Sequence, residues 1–404
     1  MDDILEYDYL KTKPYDTRTL QGEEGKKYIL SFSDKHHIKV SEAAKEIIDL
    51  FDGNHTLFDI QCILQDKGME INESELKKIV QDVLIDNGIL EGSTFKNKKG
   101  NSMLWIKIPL IDSCRLNNIF SILKYAFEKK VLFINMICLV VCAVASIYMI
   151  LHMENEKPLN SILIMAIGYF SLIIHEFGHA SAAYKYKINV GKIGVGMYFL
   201  YPVMYIDMTS AWRLPSKQRV ILDAGGMYFQ ALTIIPLTII GFISQESLFF
   251  ICSIYVLAMS VYNLLPFLKL DGYWLFCDYF ELNNLSQNAF KIVKAQIVNR
   301  NNKISKRKKM YYIFSIVYAS SIIFMFIIGI IYSITTIRNW EYVVEIGRKI
   351  IYTIHSGNFQ AVFRYINSIL IYILPLIFMV VMLIKGLVRY VMEKKETQNK
   401  ADIA

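Results

Sequence analysis

His175, Glu176 and His179 stand together in the run HEFGH, inside the apolar stretch IGYFSLIIHEFGHASAAYKY. On a helix the two histidines are four positions apart, so both imidazoles leave one face and can bind the same metal ion. Glu176 lies beside them, placed to act as general base on a water held at that metal. Zinc lowers the pKa of such a water to about 7, within reach of a carboxylate base. A catalytic zinc takes three protein ligands and keeps one position open, so the chain must supply a third donor. Asp271, in NLLPFLKLDGYW, is the candidate. It sits at the end of another apolar run, where Pro266 would loosen the helix and Gly272 would let the backbone turn the carboxylate inward. Two histidines and a carboxylate suit one Zn2+ best. The ordinary alternatives are a buried His/Glu cluster that holds helices together and an aspartate that caps a turn. Against the first, ionisable side chains in an apolar span are costly and by default mark function.

The elements that must position these residues are membrane helices. Of 404 residues 54% are hydrophobic, above the roughly 45–50% of soluble domains, and the excess falls in long runs. Six spans are expected, near 131–151, 160–184, 220–242, 247–268, 311–336 and 365–388, each close to the roughly 20 residues that cross a bilayer core. Lys124, Lys129 and Lys130 precede the first, and Lys185, Lys187, Arg213, Lys217 and Arg219 follow the second. A basic run including Lys303, Lys306, Arg307, Lys308 and Lys309 precedes the fifth, and Arg389, Lys394 and Lys395 follow the sixth. The positive-inside rule then places both termini in the cytoplasm. Residues 337–364 are the weak point of this topology, because Arg338, Arg348, Lys349 and Arg364 fall on the expected outer side. Glu341 and Glu345 offset them, so an interfacial amphipathic helix is the alternative there. Gly191, Gly194, Gly196 and Pro202 interrupt the apolar segment 191–214. A re-entrant hairpin or strand pair fits it better than a spanning helix, since irregular backbone at membrane depth must be buried in protein or line a cavity.

The front of the chain is different. Residues 1–92 carry 20 Asp and Glu against 11 Lys and Arg, which leaves +17 on the remainder of a chain whose total is +8. An acidic front domain argues against nucleic-acid binding. Residues 27–92 read as a winged-helix-like α+β unit. Strands are expected at Tyr28–Phe32 and His37–Val40, and a helix from Ser41 with Ala44, Ile47, Ile48 and Phe51 on one face. Thr56 with Asp59 opens a second helix and Asn72 a third, whose stripe is Leu76, Ile79, Val80, Val83 and Leu84; Asn87-Gly88 ends it before a returning strand at Ile89-Leu90. Residues 93–102 read as a polar linker. The six cysteines form no CxxC pair, and several lie in apolar segments, where reduced buried thiols are expected. No basic-then-apolar leader opens the chain, so the front domain is expected on the cytoplasmic side. Trp105 and Trp340 read as interface anchors. His36, His37, His55, His152 and His355 have no spaced partner and read as structural or surface residues.

HEFGH in a membrane helix followed by N-x-x-P…LDG resembles the double signature of site-2-type intramembrane zinc metalloproteases (peptidase family M50), over roughly residues 160–280. The resemblance implies His175, His179 and Asp271 as zinc ligands and Glu176 as catalytic base. It implies Asn263 as a hydrogen-bond donor to the substrate strand or transition state, although a helix–helix hydrogen bond explains Asn263 equally well. Gly225-Gly226 resemble the small-residue stretch of the family's third span, with helix close-packing as the plain alternative. Segment 191–214 resembles the family's membrane-associated hairpin, which could offer an edge to an extended substrate. The front unit is similar to PqqD-like leader-recognition domains, which hold a leader peptide as an added strand. The combination resembles the YydH-type peptide zinc metalloproteases.

These resemblances imply four regions. Residues 1–95 form a PqqD-like peptide-recognition domain and 96–130 a linker and juxtamembrane segment. Residues 131–280 form the metalloprotease core, and 281–404 a basic loop, two further transmembrane helices and a cytoplasmic tail. The expected protein is a multi-pass α-helical protein of the cell membrane. It would be an endopeptidase that matures a ribosomally made, modified precursor peptide, with the lipid bilayer, that peptide, peptide-modifying enzymes and an exporter as partners. The alternatives are cleavage of a transmembrane regulator, and a non-catalytic membrane peptide binder, exporter or immunity protein. A binder needs metal ligands but no general base, so Glu176 speaks against it.

Overall fold

The computed structural model describes residues 9–22, 25–33, 36–69, 71–93, 104–153, 160–198, 201–265, 269–280 and 306–357, with isolated positions between and after these ranges. Pro266, most of the polar linker, the basic run before Lys306, most of the expected span 365–388 and the segment from 391 onward lie outside the described residues. The chain divides into two compact units, residues 1–103 with 186–192 and 207–219, and the remainder.

The first unit holds an antiparallel sheet in the order β1 (Asp16–Gly22), β2 (Gly25–Ser33), β3 (His36–Ser41). β2 and β3 cover the two expected strands. β1 was not anticipated, and it pairs along β2 from Asp16↔Ser31 to Gly22↔Gly25. Three helices follow, α1 (Glu42–Asp49), α2 (Leu57–Asp66) and α3 (Glu73–Ile79). The expected caps form. The Thr56 hydroxyl accepts from the Asp59 amide while the Asp59 carboxylate accepts from the Thr56 amide, and Asn72 and Glu75 repeat the arrangement. Each reciprocal pair satisfies amides that a helix start leaves without partners. Leu30, Ile48, Phe51, Ile60, Leu64, Leu76, Leu84 and Ile89 close one core. Leu90 makes an isolated bridge to Thr12 in place of a returning strand.

The second unit is a helical bundle with a small sheet. Its helices include α4 (Asn117–Leu123), α5 (Lys129–His152), α6 (Ser161–Lys185), α7 (Ser216–Leu232), α8 (Ile234–Ser244), α9 (Ser247–Leu264) and α10 (Asp271–Tyr279). Helices Lys306–Arg338 and Trp340–His355 follow. Among the described residues five stretches are long and apolar enough to cross a membrane, as a multi-pass membrane protein requires: Lys129–His152, Ile162–Lys185, Ser216–Ser244, Ser247–Leu264 and Lys309–Arg338. They fall on the first five expected spans.

Phe133, Ile134, Val140, Val141 and Val144 of α5 are exposed, as on a helix whose outer face meets hydrocarbon rather than water. Its inner face joins α8 and α9 through hydroxyls. Ser146 bonds Thr238 at 2.8 Å, and Thr238 lies 3.4 Å from Ser253. Small polar groups at such seams hold helices together where lipid offers no hydrophobic drive.

Between 96 and 130 the chain forms β4 (Leu104–Asp112) as well as α4. β4 joins β5 (Lys192–Tyr198) and β6 (Tyr201–Ile206) in the order β4-β5-β6. The interrupted segment after 191 is therefore the expected strand pair, antiparallel from Ile193↔Ile206 to Tyr198↔Tyr201. An added Cβ on Gly194 would strike the Ile108 carbonyl, so the glycine permits β5 to approach β4.

Candidate metal centre

HEFGH falls in the C-terminal half of α6, and His175, Glu176 and His179 are all buried. Two neighbours hold α6 in place. Phe120 of α4 packs edge-on against Phe177 at 5.6 Å, and Lys185 donates to the Phe127 carbonyl at 2.7 Å. On the other side α7 crosses α6 at glycines. A Cβ on Gly178 would collide with the Gly225 carbonyl, and a Cβ on Gly226 would collide with Nε2 of both His175 and His179. Gly225 thus serves close packing, and Gly226 keeps open the space the two imidazoles face.

Asp271 is the first residue of α10, where the helix dipole favours a carboxylate. The link from α9 turns at Lys269, which adopts φ +56. Gly272 is not the left-handed residue. Its hydrogen faces the Leu264 carbonyl, where a Cβ has no room, so it lets α10 abut the end of α9 instead of supplying a turn. Tyr273 and Cys277 anchor α10 in a cluster with Leu282, Leu285, Ala289 and Tyr318.

The three expected donors converge. Nε2 of His175 and His179 are 3.1 Å apart. Oδ2 of Asp271 lies 2.7 Å from the first and 3.6 Å from the second. Tetrahedral zinc with ligands at about 2.0–2.1 Å separates its donor atoms by roughly 3.3 Å, and the observed distances scatter about that value. Among the described residues these three form the one cluster of histidine, cysteine or acidic groups close enough to hold a metal.

The remaining histidine protons can be located from their partners. Nδ1 of His179 lies 2.7 Å from the Leu222 carbonyl, which only accepts, so Nδ1 carries a proton. Nδ1 of His175 lies 3.2 Å from Oε1 of Gln230. Both rings can therefore present a bare Nε2 toward Asp271 and the space beside Gly226, the donor set a cation requires. The site could hold one zinc ion on this set. Glu176 is within electrostatic reach of all three donors.

Asn263, near the end of α9, lies with Nδ2 3.4 Å from Oε1 of Gln230, a helix-to-helix contact one residue removed from His175. Gln230 and Ser171 escaped the sequence reading. A signal existed: Gln230 is the one amide in the apolar second half of α7 (AGGMYFQAL), four residues after Gly226 and hence on its face.

The chain is similar to the "Putative peptide zinc metalloprotease protein YydH" of Bacillus subtilis (strain 168), with 23% identity over 143 residues, 34% of this chain and 56% of that protein. The match spans about half the length of that relative. No protein-family model matches the chain, and no solved structure matches it.

Proposed function

We propose that this protein is a membrane-embedded zinc endopeptidase of the site-2 type that matures a ribosomally made, modified precursor peptide. The convergence of His175, His179 and Asp271 from two helices, with Glu176 buried beside them, carries this reading. The relative named as a peptide zinc metalloprotease supports it.

When bound, zinc would polarise the scissile carbonyl and acidify the attacking water. The chain's own residues would do the rest. His175, His179 and Asp271 hold the cation. Glu176 accepts the proton of the attacking water and returns it to the leaving amine, so that water is added across the peptide bond with no net proton change. The Asn263 amide is the proposed support for the substrate carbonyl or strand. Packing of α4 and α7 against α6 buries His175, Glu176 and His179, and low surrounding polarity would strengthen each of these interactions.

The first unit is proposed to capture the peptide. Its sheet ends in β1 and β3, and a peptide adding as a strand at such an edge gains main-chain hydrogen bonds before its side chains are read. The proposed setting is the cell membrane with both termini cytoplasmic.

The test is mass spectrometry of a candidate precursor peptide in cells carrying either wild type or Glu176→Gln. Loss of the shortened peptide with the variant, at equal protein level, supports the reading. Unchanged processing overturns it and favours a binder or immunity protein.

A further inference from the structure

Gln230 of α7 is fully buried at the meeting of three helices. Its Oε1 faces Nδ1 of His175 on α6 at 3.2 Å and Nδ2 of Asn263 on α9 at 3.4 Å. Its Nε2 lies 3.2 Å from the hydroxyl of Ser171, one turn before His175. The Ser171 hydroxyl in turn lies 2.7 Å from the Gly168 carbonyl.

Proton bookkeeping fixes this network. The Gly168 carbonyl only accepts, so the single Ser171 proton goes there, and Ser171 oxygen is left to accept from the amide nitrogen of Gln230. That orients the amide and turns Oε1 toward His175. An amide oxygen only accepts, so His175 Nδ1 must hold a proton, which leaves Nε2 free to ligate.

We propose that Gln230, steered by Ser171, is a positioning residue. It locks His175 in the Nδ1–H tautomer, aims Nε2 at the metal, and ties Asn263 to that ligand through the shared oxygen. The proposal rests on the reading of His175, His179 and Asp271 as a zinc site. His179 obtains the same lock from a main-chain carbonyl, which no substitution can remove, whereas the lock on His175 is a side chain and so depends on sequence. Outer hydrogen-bond partners of ligating histidines are typically worth about 10- to 100-fold in metal affinity.

The experiment is competition for zinc between a chromophoric chelator and the purified full-length protein in lipid nanodiscs. It compares wild type with Gln230→Leu, Gln230→Glu and Ser171→Ala, and records the visible spectrum of each protein loaded with Co2+. Gln230→Leu removes the acceptor and is expected to weaken zinc binding by about 10- to 100-fold and to alter the cobalt bands. Gln230→Glu keeps an acceptor and is expected to retain both. Ser171→Ala frees the amide to flip and is expected to weaken binding by less. A purely structural role predicts no such rescue by glutamate. Should Gln230→Leu fail to fold, the other two variants decide. Wild type that takes up no zinc overturns the site and this inference together. Wild type that takes up one equivalent, with Gln230→Leu or Ser171→Ala holding it just as tightly, overturns the inference alone.

Discussion

Gly226 on α7 faces Nε2 of His175 on α6 so closely that a methyl group on the glycine would occupy the space beside that nitrogen. The same methyl would strike Nε2 of His179. Gly226→Ala is therefore expected to damage the site although no ligand is replaced. Overpacking of this kind costs about 1–3 kcal/mol, which corresponds to roughly 5- to 150-fold in zinc affinity if it falls on the site. Zinc titration of the folded variant checks this; wild-type affinity would contradict it. Gly178→Ala, which drives a methyl into the Gly225 carbonyl, should separate α6 from α7 and lower thermal stability as well.

The first unit should lose stability in two steps on acidification. Burial, with help from the charges of Lys13 and His37, holds the His36 pKa below its ordinary value. The Asn54 backbone amide, then the His55 and Asn54 side chains, hold Asp52 at about 2, and the Thr56 hydroxyl and amide hold Asp59 low. In each case the folded pKa lies below the unfolded one, so the unfolded chain binds more protons and stability falls as pH falls. The first loss begins below about 6.5, the unfolded value for histidine, and the second below about 3.9, that for aspartate. Amide hydrogen exchange in β2 and α2 of the full chain, corrected for intrinsic rate, reads both. Protection that rises between pH 7 and pH 5 would contradict the first step.

Topology gives a third prediction. With a sixth span near 365–388, both termini are cytoplasmic, and a fluorescent protein fused after Ala404 should fluoresce. With the five stretches Lys129–His152, Ile162–Lys185, Ser216–Ser244, Ser247–Leu264 and Lys309–Arg338 alone, that fusion would be exported and dark. Helix Trp340–His355 bears on the same question. Val343, Ile346 and Thr353 are buried, while Trp340, Val344, Ile351 and Ile354 form an exposed apolar strip apart from Glu341, Glu345, Arg348 and Lys349. Three such sectors suit a helix lying at the membrane interface. Its expected place is the outer leaflet, so a cysteine at Lys349 should react with impermeant thiol reagents added to whole cells.

The site was partly legible in the sequence. HEFGH declares itself because the helical period alone puts His175 and His179 on one face, and Asp271 stood out as a charge at the end of an apolar run. The glycines of 191–214 likewise announced a strand pair. Gln230 did not stand out, because its role comes from His175, 55 residues earlier, and no local period links the two. β4 was missed for the same reason, since its sheet partner begins at Lys192. β1, with the sequence DTRTLQG, lacks an apolar alternation and is a strand only because β2 pairs with it. Gly272 was located correctly but given the wrong cause, since only the folded chain brings the Leu264 carbonyl against it.

The most direct test of the proposed chemistry is hydrolysis of a precursor peptide in H218O by purified full-length protein carrying one equivalent of zinc. One 18O atom is expected in the new carboxyl terminus with wild type. With Glu176→Gln at equal zinc content, no product above about one-hundredth of that rate is expected, since a general base typically supplies about 10²- to 10⁴-fold. Equal turnover by Glu176→Gln, or product without 18O, would contradict that chemistry.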